Sequence, residues 1–174
     1  MNKVSISVAA LLLALLCGPG VSLDIPKNAS LALLTMPDGS IVKAELAITP
    51  QIRERGLMLR ETLPNNRGML FVFTEGGSKT FNMKNTYIGL DIVFLDSEMK
   101  ISNIYNHVPS CGPDRPESEA SKVSAPANFM LALASGKAVK SGLKPGYTIK
   151  VSFPRDKNMP PAVKSSTAPA APRK

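Results

Sequence analysis

The chain of 174 residues has no tryptophan, one histidine and two cysteines. Each shortage closes off some chemistry. There is no His-x-x-x-His, no Cys-x-x-Cys and no clustered Met-x-Met, so the usual spacings of metal ligands are missing. No Gly-x-Ser-x-Gly elbow and no phosphate-binding loop occurs, which removes two common catalytic signatures. Aromatic residues make up only 5% of the chain. That is sparse for stacking on bases and, with no recognisable nucleic-acid motif, a nucleic-acid partner is not expected. No internal repeat is present, and no pattern alternates strands with long helices, which argues against a Rossmann-type sheet.

What is present begins with an apolar run. Lys3 precedes Val4–Cys17, a stretch of 14 residues within the length of a signal-peptide core. It falls short of the roughly 20 residues that span a bilayer. Gly18-Pro19-Gly20 breaks it, and Gly20-Val21-Ser22 offers small residues for cleavage after Ser22. Residues 1–22 are therefore expected to be a cleaved signal peptide, giving a periplasmic or secreted protein. Lipid anchoring at Cys17 is the less favoured route, because Leu16 stands where a small residue is wanted.

Without that segment the chain falls from 21 to 20 basic side chains against 13 acidic ones. Five of the 20, Arg155, Lys157, Lys164, Arg173 and Lys174, lie in residues 154–174. That stretch is rich in Pro, Ala, Lys and Ser, has no apolar period and reads as a disordered tail. It suits contact with an anionic envelope surface or simple solubility. Residues 23–153 then form one domain, expected to be monomeric. Cys111 is its one cysteine, which leaves a free thiol, an intermolecular bridge or a ligand as the open readings.

The pattern of that domain is mainly β. Leu31–Thr35 and Ile41–Ile48 flank Met36-Pro37-Asp38-Gly39-Ser40, the chemistry of a tight hairpin turn. Thr49-Pro50 starts a short helix to about Met58, with threonine as cap and proline tolerated at the first position. Met69–Phe73 and Leu90–Leu95 are continuous apolar runs too short for helices and read as buried strands. Thr80–Lys84 alternates. Asp96–Met99 turns Leu90–Leu95 into Ile101–Val108, the clearest hairpin. Pro109–Ser124 is long and polar, a functional flap or a mobile loop. Asn128–Leu133 gives another strand, Ser135–Gly142 one or two helical turns, and Ile149–Phe153 a last strand. The sum predicts a compact antiparallel β sandwich or barrel with one or two short helices.

Candidate chemistry concentrates between Ile48 and Asp96. Lys84, Asn85 and Asp91 sit at the ends of adjacent strands, where they can orient an anionic or sugar-like ligand by charge-assisted hydrogen bonds. Equally, Asp91 can cap backbone amides, or pair with Lys84 or an arginine, to fix the loop. Arg53 lies near the buried side of its helix, and the guanidinium fork of Arg60 suits a carboxylate or phosphate. The expected ligand surface is Arg53, Arg60, Met83, Lys84, Asn85 and Asp91, taking a small polar or anionic ligand without cofactor or metal. Two rivals stand beside it. One is an envelope hydrolase or transferase acting on a sugar or cell-wall fragment, with Asp91 as base and Lys84 as electrostatic stabiliser. The other is copper binding through Cys111, His107 and methionines, although Met69 and Met83 sit in core-like patterns. A His107–Cys111 nucleophile pair is also conceivable. The acids of a glycosidase pair cannot be picked out, since Glu75, Asp91, Asp96 and Glu98 all adjoin turns.

Taken together, Thr49-Pro50 with Arg53, Gly56-Leu57-Met58, Arg60, Gly68-Met69-Leu70-Phe71-Val72-Phe73 and above all Phe81-Asn82-Met83-Lys84-Asn85-Thr86 with Leu90-Asp91-Ile92 and Phe94 resemble the DUF192 (UPF0127) family. Weaker echoes follow at Ala125-Pro126-Ala127 and Gly142-Leu143-Lys144-Pro145-Gly146. The resemblance implies a small, often exported prokaryotic protein of uncharacterised function with a compact β sandwich or barrel. Members commonly carry Trp in place of Asn82, Pro in place of Gly89, and a second cysteine soon after Cys111. Its absence here weakens any two-thiol role for that loop.

Overall fold

The computed structural model describes residues 23–154; the expected signal segment 1–22 and nearly all of the expected tail lie outside the described residues. The described residues form nine strands, β1 (Leu31–Thr35), β2 (Ile41–Ala47), β3 (Arg67–Val72), β4 (Ser78–Asn82), β5 (Leu90–Leu95), β6 (Ile101–Val108), β7 (Lys122–Pro126), β8 (Phe129–Ala134) and β9 (Lys150–Ser152), with two short α-helices, α1 (Pro50–Arg55) after β2 and α2 (Lys137–Lys140) after β8. The mainly β reading with two minor helices is borne out. Seven strands form one sheet in the order β6-β5-β8-β3-β2-β1-β9, and β4 pairs with β7 in a separate ribbon.

The large sheet curls until its two edges meet at one end. Ile101 N–H, at the start of β6, donates to Tyr147 O at 2.8 Å, and Ile149 N–H, just before β9, donates to Met99 O at 3.0 Å. These bonds remove part of the edge that an open sheet would expose. All pairings are antiparallel but one: β2 and β3 run parallel, Lys43 opposite Arg67 through Ala47 opposite Phe71. A parallel neighbour needs a crossover, and α1 with the segment that follows it supplies this one. The expectation of a mostly antiparallel fold holds, with this one parallel pair among the described pairings. Its sequence signature, two strands separated by a helix and a turn-rich stretch, was present.

The continuous apolar runs follow from burial on both faces. All six residues of β5 are buried. Val93 and Leu95 join Leu34, Leu70, Leu131 and Leu133 in a core enclosed by the curl. Leu90, Ile92 and Phe94 face the other way, into a second core with Phe71, Phe81, Met83, Cys111 and Met130. Gly68 of β3 sits where a Cβ would stand 2.9 Å from Ala132 O on the neighbouring β8, so no larger residue fits without moving the strand.

Candidate functional site

Thr49 and Pro50 start α1 as their chemistry requires. Thr49 Oγ1 accepts from Ile52 N–H at 3.3 Å, and Pro50 is the first helical residue. Gly56 ends the helix with φ +45°, and its missing side chain lets the backbone lie on the Phe71 ring, which a Cβ would approach to 3.3 Å. The helix thus stops at Arg55, three residues short of the sequence expectation. Arg53 leaves the last turn inward. Its Nη1 donates to Val72 O at 2.9 Å and also to Ile48 O, and the guanidinium carbon lies 5.3 Å from the centre of the Phe73 ring. Lys79 Nζ stands 5.1 Å from the centre of the same ring, so this phenyl group carries two cations.

The Phe81–Thr86 motif makes a tight turn. Asn82 Oδ1 accepts from Lys84 N–H at 3.0 Å, Asn85 takes φ +55°, and Thr86 Oγ1 donates to Lys84 O at 3.2 Å. Thr86 and Cys111 exchange backbone hydrogen bonds at 2.9 Å in each direction. Met83 is fully buried beneath the turn. Asn82, Asn85 and Thr86 therefore shape backbone, and Lys84 is the side chain the turn presents. Its Nζ meets Glu117 Oε2 at 2.7 Å. That ion pair holds the Glu117 carboxyl below its ordinary value. The Pro109–Ser124 stretch is thus fastened to the motif. Its last three residues, Lys122–Ser124, are not loop but the first part of β7 (Lys122–Pro126). The signal existed, with Val123 and Ala125 alternating with Lys122 and Ser124, but it was masked by prolines and charge.

Between α1 and β4 lies a cavity of about 350 Å3 lined by Arg53, Arg55, Leu57, Phe71, Phe81 and Asn82 among others. Phe71 and Phe81 meet edge to face, 5.5 Å between ring centres. A more open, polar lobe of about 510 Å3 adjoins it, lined by Gln51, Glu54, Arg55, Met58, Lys84, Asn85 and Glu117. Glu54, Arg55 and Met58 line both lobes, which makes one groove of them. Of the expected surface, Arg53, Lys84 and Asn85 are brought onto this groove. The apolar floor and Glu117 were not foreseen. The floor residues read only as core, and nothing local tied Glu117 to Lys84.

Arg60 and Asp91 go elsewhere. Arg60 forms two parallel bonds of 2.7 Å to Glu45 on β2, which lower the Glu45 carboxyl and raise the guanidinium. Asp91 is fully buried. It shares the face of Val93 and Leu95 on β5. Its Oδ1 accepts from His107 N–H and its Oδ2 from Ala138 N–H, each at 2.8 Å. It holds β6 at His107, where φ is +55°, and fixes the start of α2. Asp91 is not part of the groove that holds Lys84. The Cys111 thiol is buried against Pro116 O at 4.0 Å, whereas His107 is exposed at the end of β6. Met69 and Met83 are both core residues. Among the described residues no three His, Cys, Asp or Glu side chains come together as a metal cluster.

The DUF192 family profile, described as an uncharacterized ACR, matches residues 33–151, and the chain belongs to that family. A crystal structure of a Sinorhizobium meliloti 1021 protein, provisionally described as a transcription regulator, is 29% identical with a TM-score of 0.58, covering 75% of this chain and 97% of that one. A Novosphingobium aromaticivorans DSM 12444 protein of unknown function is 30% identical with a TM-score of 0.56, covering 70% of this chain and 83% of its own. No curated protein matches.

Proposed function

We propose that this DUF192 chain is an exported binding or accessory domain of the cell envelope, taking a small polar or anionic ligand in the α1–β4 groove. One observation carries the reading. Arg53, Lys84 and Asn85 share a groove whose floor is phenyl-lined and whose open lobe is polar, the combination of apolar body and few convergent polar groups that marks ligand sites. Lys84 already holds a carboxylate, that of Glu117, so a carboxylate-bearing ligand would compete for a geometry that exists. Export rests on the apolar run Val4–Cys17 and the small residues before Leu23, and the basic tail suits an anionic surface.

The hydrolase alternative is weaker because both oxygens of Asp91 are engaged by backbone amides in the core, leaving a poor general base. A nucleic-acid role, after the description of the Sinorhizobium relative, is not adopted. Helices of six and four residues are too short to read a major groove.

Two measurements test the proposal. Titration with aryl and alkyl carboxylates, followed by amide NMR shifts, should move Leu57, Phe81 and Asn82, and Lys84→Ala should weaken binding. The binding reading falls if no compound in the panel moves these signals. N-terminal sequencing of protein from the envelope fraction should begin at Leu23. Recovery of an intact Met1 in the cytosol would overturn export.

A further inference from the structure

We propose that the outer edge of β4 is a strand-addition site for an extended peptide, one that seats an apolar or aromatic side chain in the Phe71–Phe81 cavity and carries acidic neighbours. The proposal deepens the groove reading above and rests on it.

Register fixes which backbone groups are free. Ala127 N–H donates to Gly77 O at 3.1 Å and Met83 N–H to Ser121 O at 3.0 Å, bracketing the β4–β7 ladder. With Lys79 opposite Ala125 and Phe81 opposite Val123, the odd-numbered residues of β4 are those that exchange hydrogen bonds with β7. The N–H and C=O of Ser78, Thr80 and Asn82 therefore point away from β7. Among the described residues they meet no other strand, since β4 pairs there with β7 alone.

The ribbon's other edge is treated differently. Two of the outward carbonyls of β7 are occupied by side chains of β6. Tyr105 Oη donates to Ser124 O at 3.0 Å, and Ser102 Oγ to Pro126 O at 3.3 Å. One edge is closed by hydroxyls and the other is open. An open edge is a template for another strand.

The open edge also borders a pocket. Thr80, Phe81 and Asn82 line the 350 Å3 cavity with α1 as the facing wall. A residue added opposite Phe81 would project to the same side as Phe81, onto the Phe71–Phe81 pair, while its neighbours would point outward. Backbone bonds supply affinity in such complexes and the alternate pocket supplies specificity. Arg53 and Arg55 flank the cavity against one acid, Glu54, and Lys84 stands in the adjoining lobe paired with Glu117, which leaves the groove with three cations against two acids. That balance selects acidic neighbours around the apolar residue.

The test uses Thr80, whose N–H faces outward. Thr80→Pro removes that donor without breaking a β4–β7 bond, and proline is tolerated at such edge positions. Thr80→Val keeps the N–H and controls for the lost Thr80–Ser124 hydroxyl contact of 2.8 Å. The probe is a positional-scanning library of fluorescent hexapeptides read by polarisation against the full chain. Pools with a central aromatic or aliphatic residue between acids should bind. Thr80→Pro should weaken them by about tenfold or more, with Thr80→Val within about threefold of the parent. Failure of every pool to bind, or equal binding by Thr80→Pro, overturns the inference. So does dimerisation of the free chain that Thr80→Pro abolishes, which would give the edge to a second copy. If aryl carboxylates still bind to Thr80→Pro while no peptide binds the parent, strand addition fails and the groove reading survives. Loss of both in the parent chain would sink the two together.

Discussion

Asp91 illustrates how one carboxylate can hold distant segments. Each oxygen takes one backbone amide, from His107 and from Ala138, and the Ala138 amide would be a buried, unpaired donor without it. Asp91→Asn replaces one acceptor by an NH2 group facing an N–H. It should cost about 2–3 kcal/mol, read as a lower midpoint in urea with an unchanged slope. The Arg60–Glu45 pair is different in kind, because its side chains remain 34% and 42% exposed. Its value is under about 1 kcal/mol after screening, and it depends on pH. The folded Glu45 carboxyl lies below its ordinary value of 4.5, so just below that value the unfolded chain binds more protons. The contribution is then complete above pH 4.5 and disappears as pH falls through the lowered folded value. Arg60→Gln should lower neutral stability by up to about 1 kcal/mol and leave strongly acid stability unchanged, which flattens the acid limb of a stability–pH curve. An acid limb of undiminished slope would show that other carboxylates carry it. The sequence could not separate these two roles. Asp91, Asn82, Asn85 and Thr86 are residue types that bind ligands and also satisfy turn and cap amides. Only their partners distinguish the cases.

At the scale of elements, close approach sets the tolerances. Gly68→Ala would bring a Cβ to 2.9 Å from Ala132 O and 3.1 Å from a Leu133 methyl group. Neither the strand nor the backbone oxygen can yield freely, so a loss of about 1–3 kcal/mol is expected from overpacking, measured by thermal or denaturant unfolding. Elements defined by local pattern were legible. The β1–β2 and β5–β6 hairpins, the Thr49-Pro50 helix start and the doubly buried β5 all follow from turn chemistry and apolar runs. Pairings between distant segments were not. The partner of β4 is β7, with Thr80 opposite Ser124, and nothing in either strand names the other. The groove is likewise a meeting of α1 with β4, which leaves Phe71 and Phe81 indistinguishable from ordinary core in the sequence.

For the whole molecule, closure is the property most open to test. The bonds from Ile101 and Met99 to Tyr147 and Ile149 tie the first edge of the sheet to the last. A chain ending at Lys144 lacks them and β9, exposing the edges of β1 and β6. It should lose its cooperative unfolding transition and elute as oligomers in size exclusion, while the full chain remains a single species. A monomeric, cooperatively unfolding truncation would show that the curl does not depend on closure.

The position of β8 has a consequence for synthesis. This strand lies between β5 and β3, yet it ends only at Ala134. Until the ribosome has released that segment, β3 and β5 have no common neighbour and two apolar strands wait side by side with their inner edges bare. Contacts this distant in sequence form slowly. The nascent chain thus keeps apolar strand edges uncovered until Phe129–Ala134 is available to fill the gap.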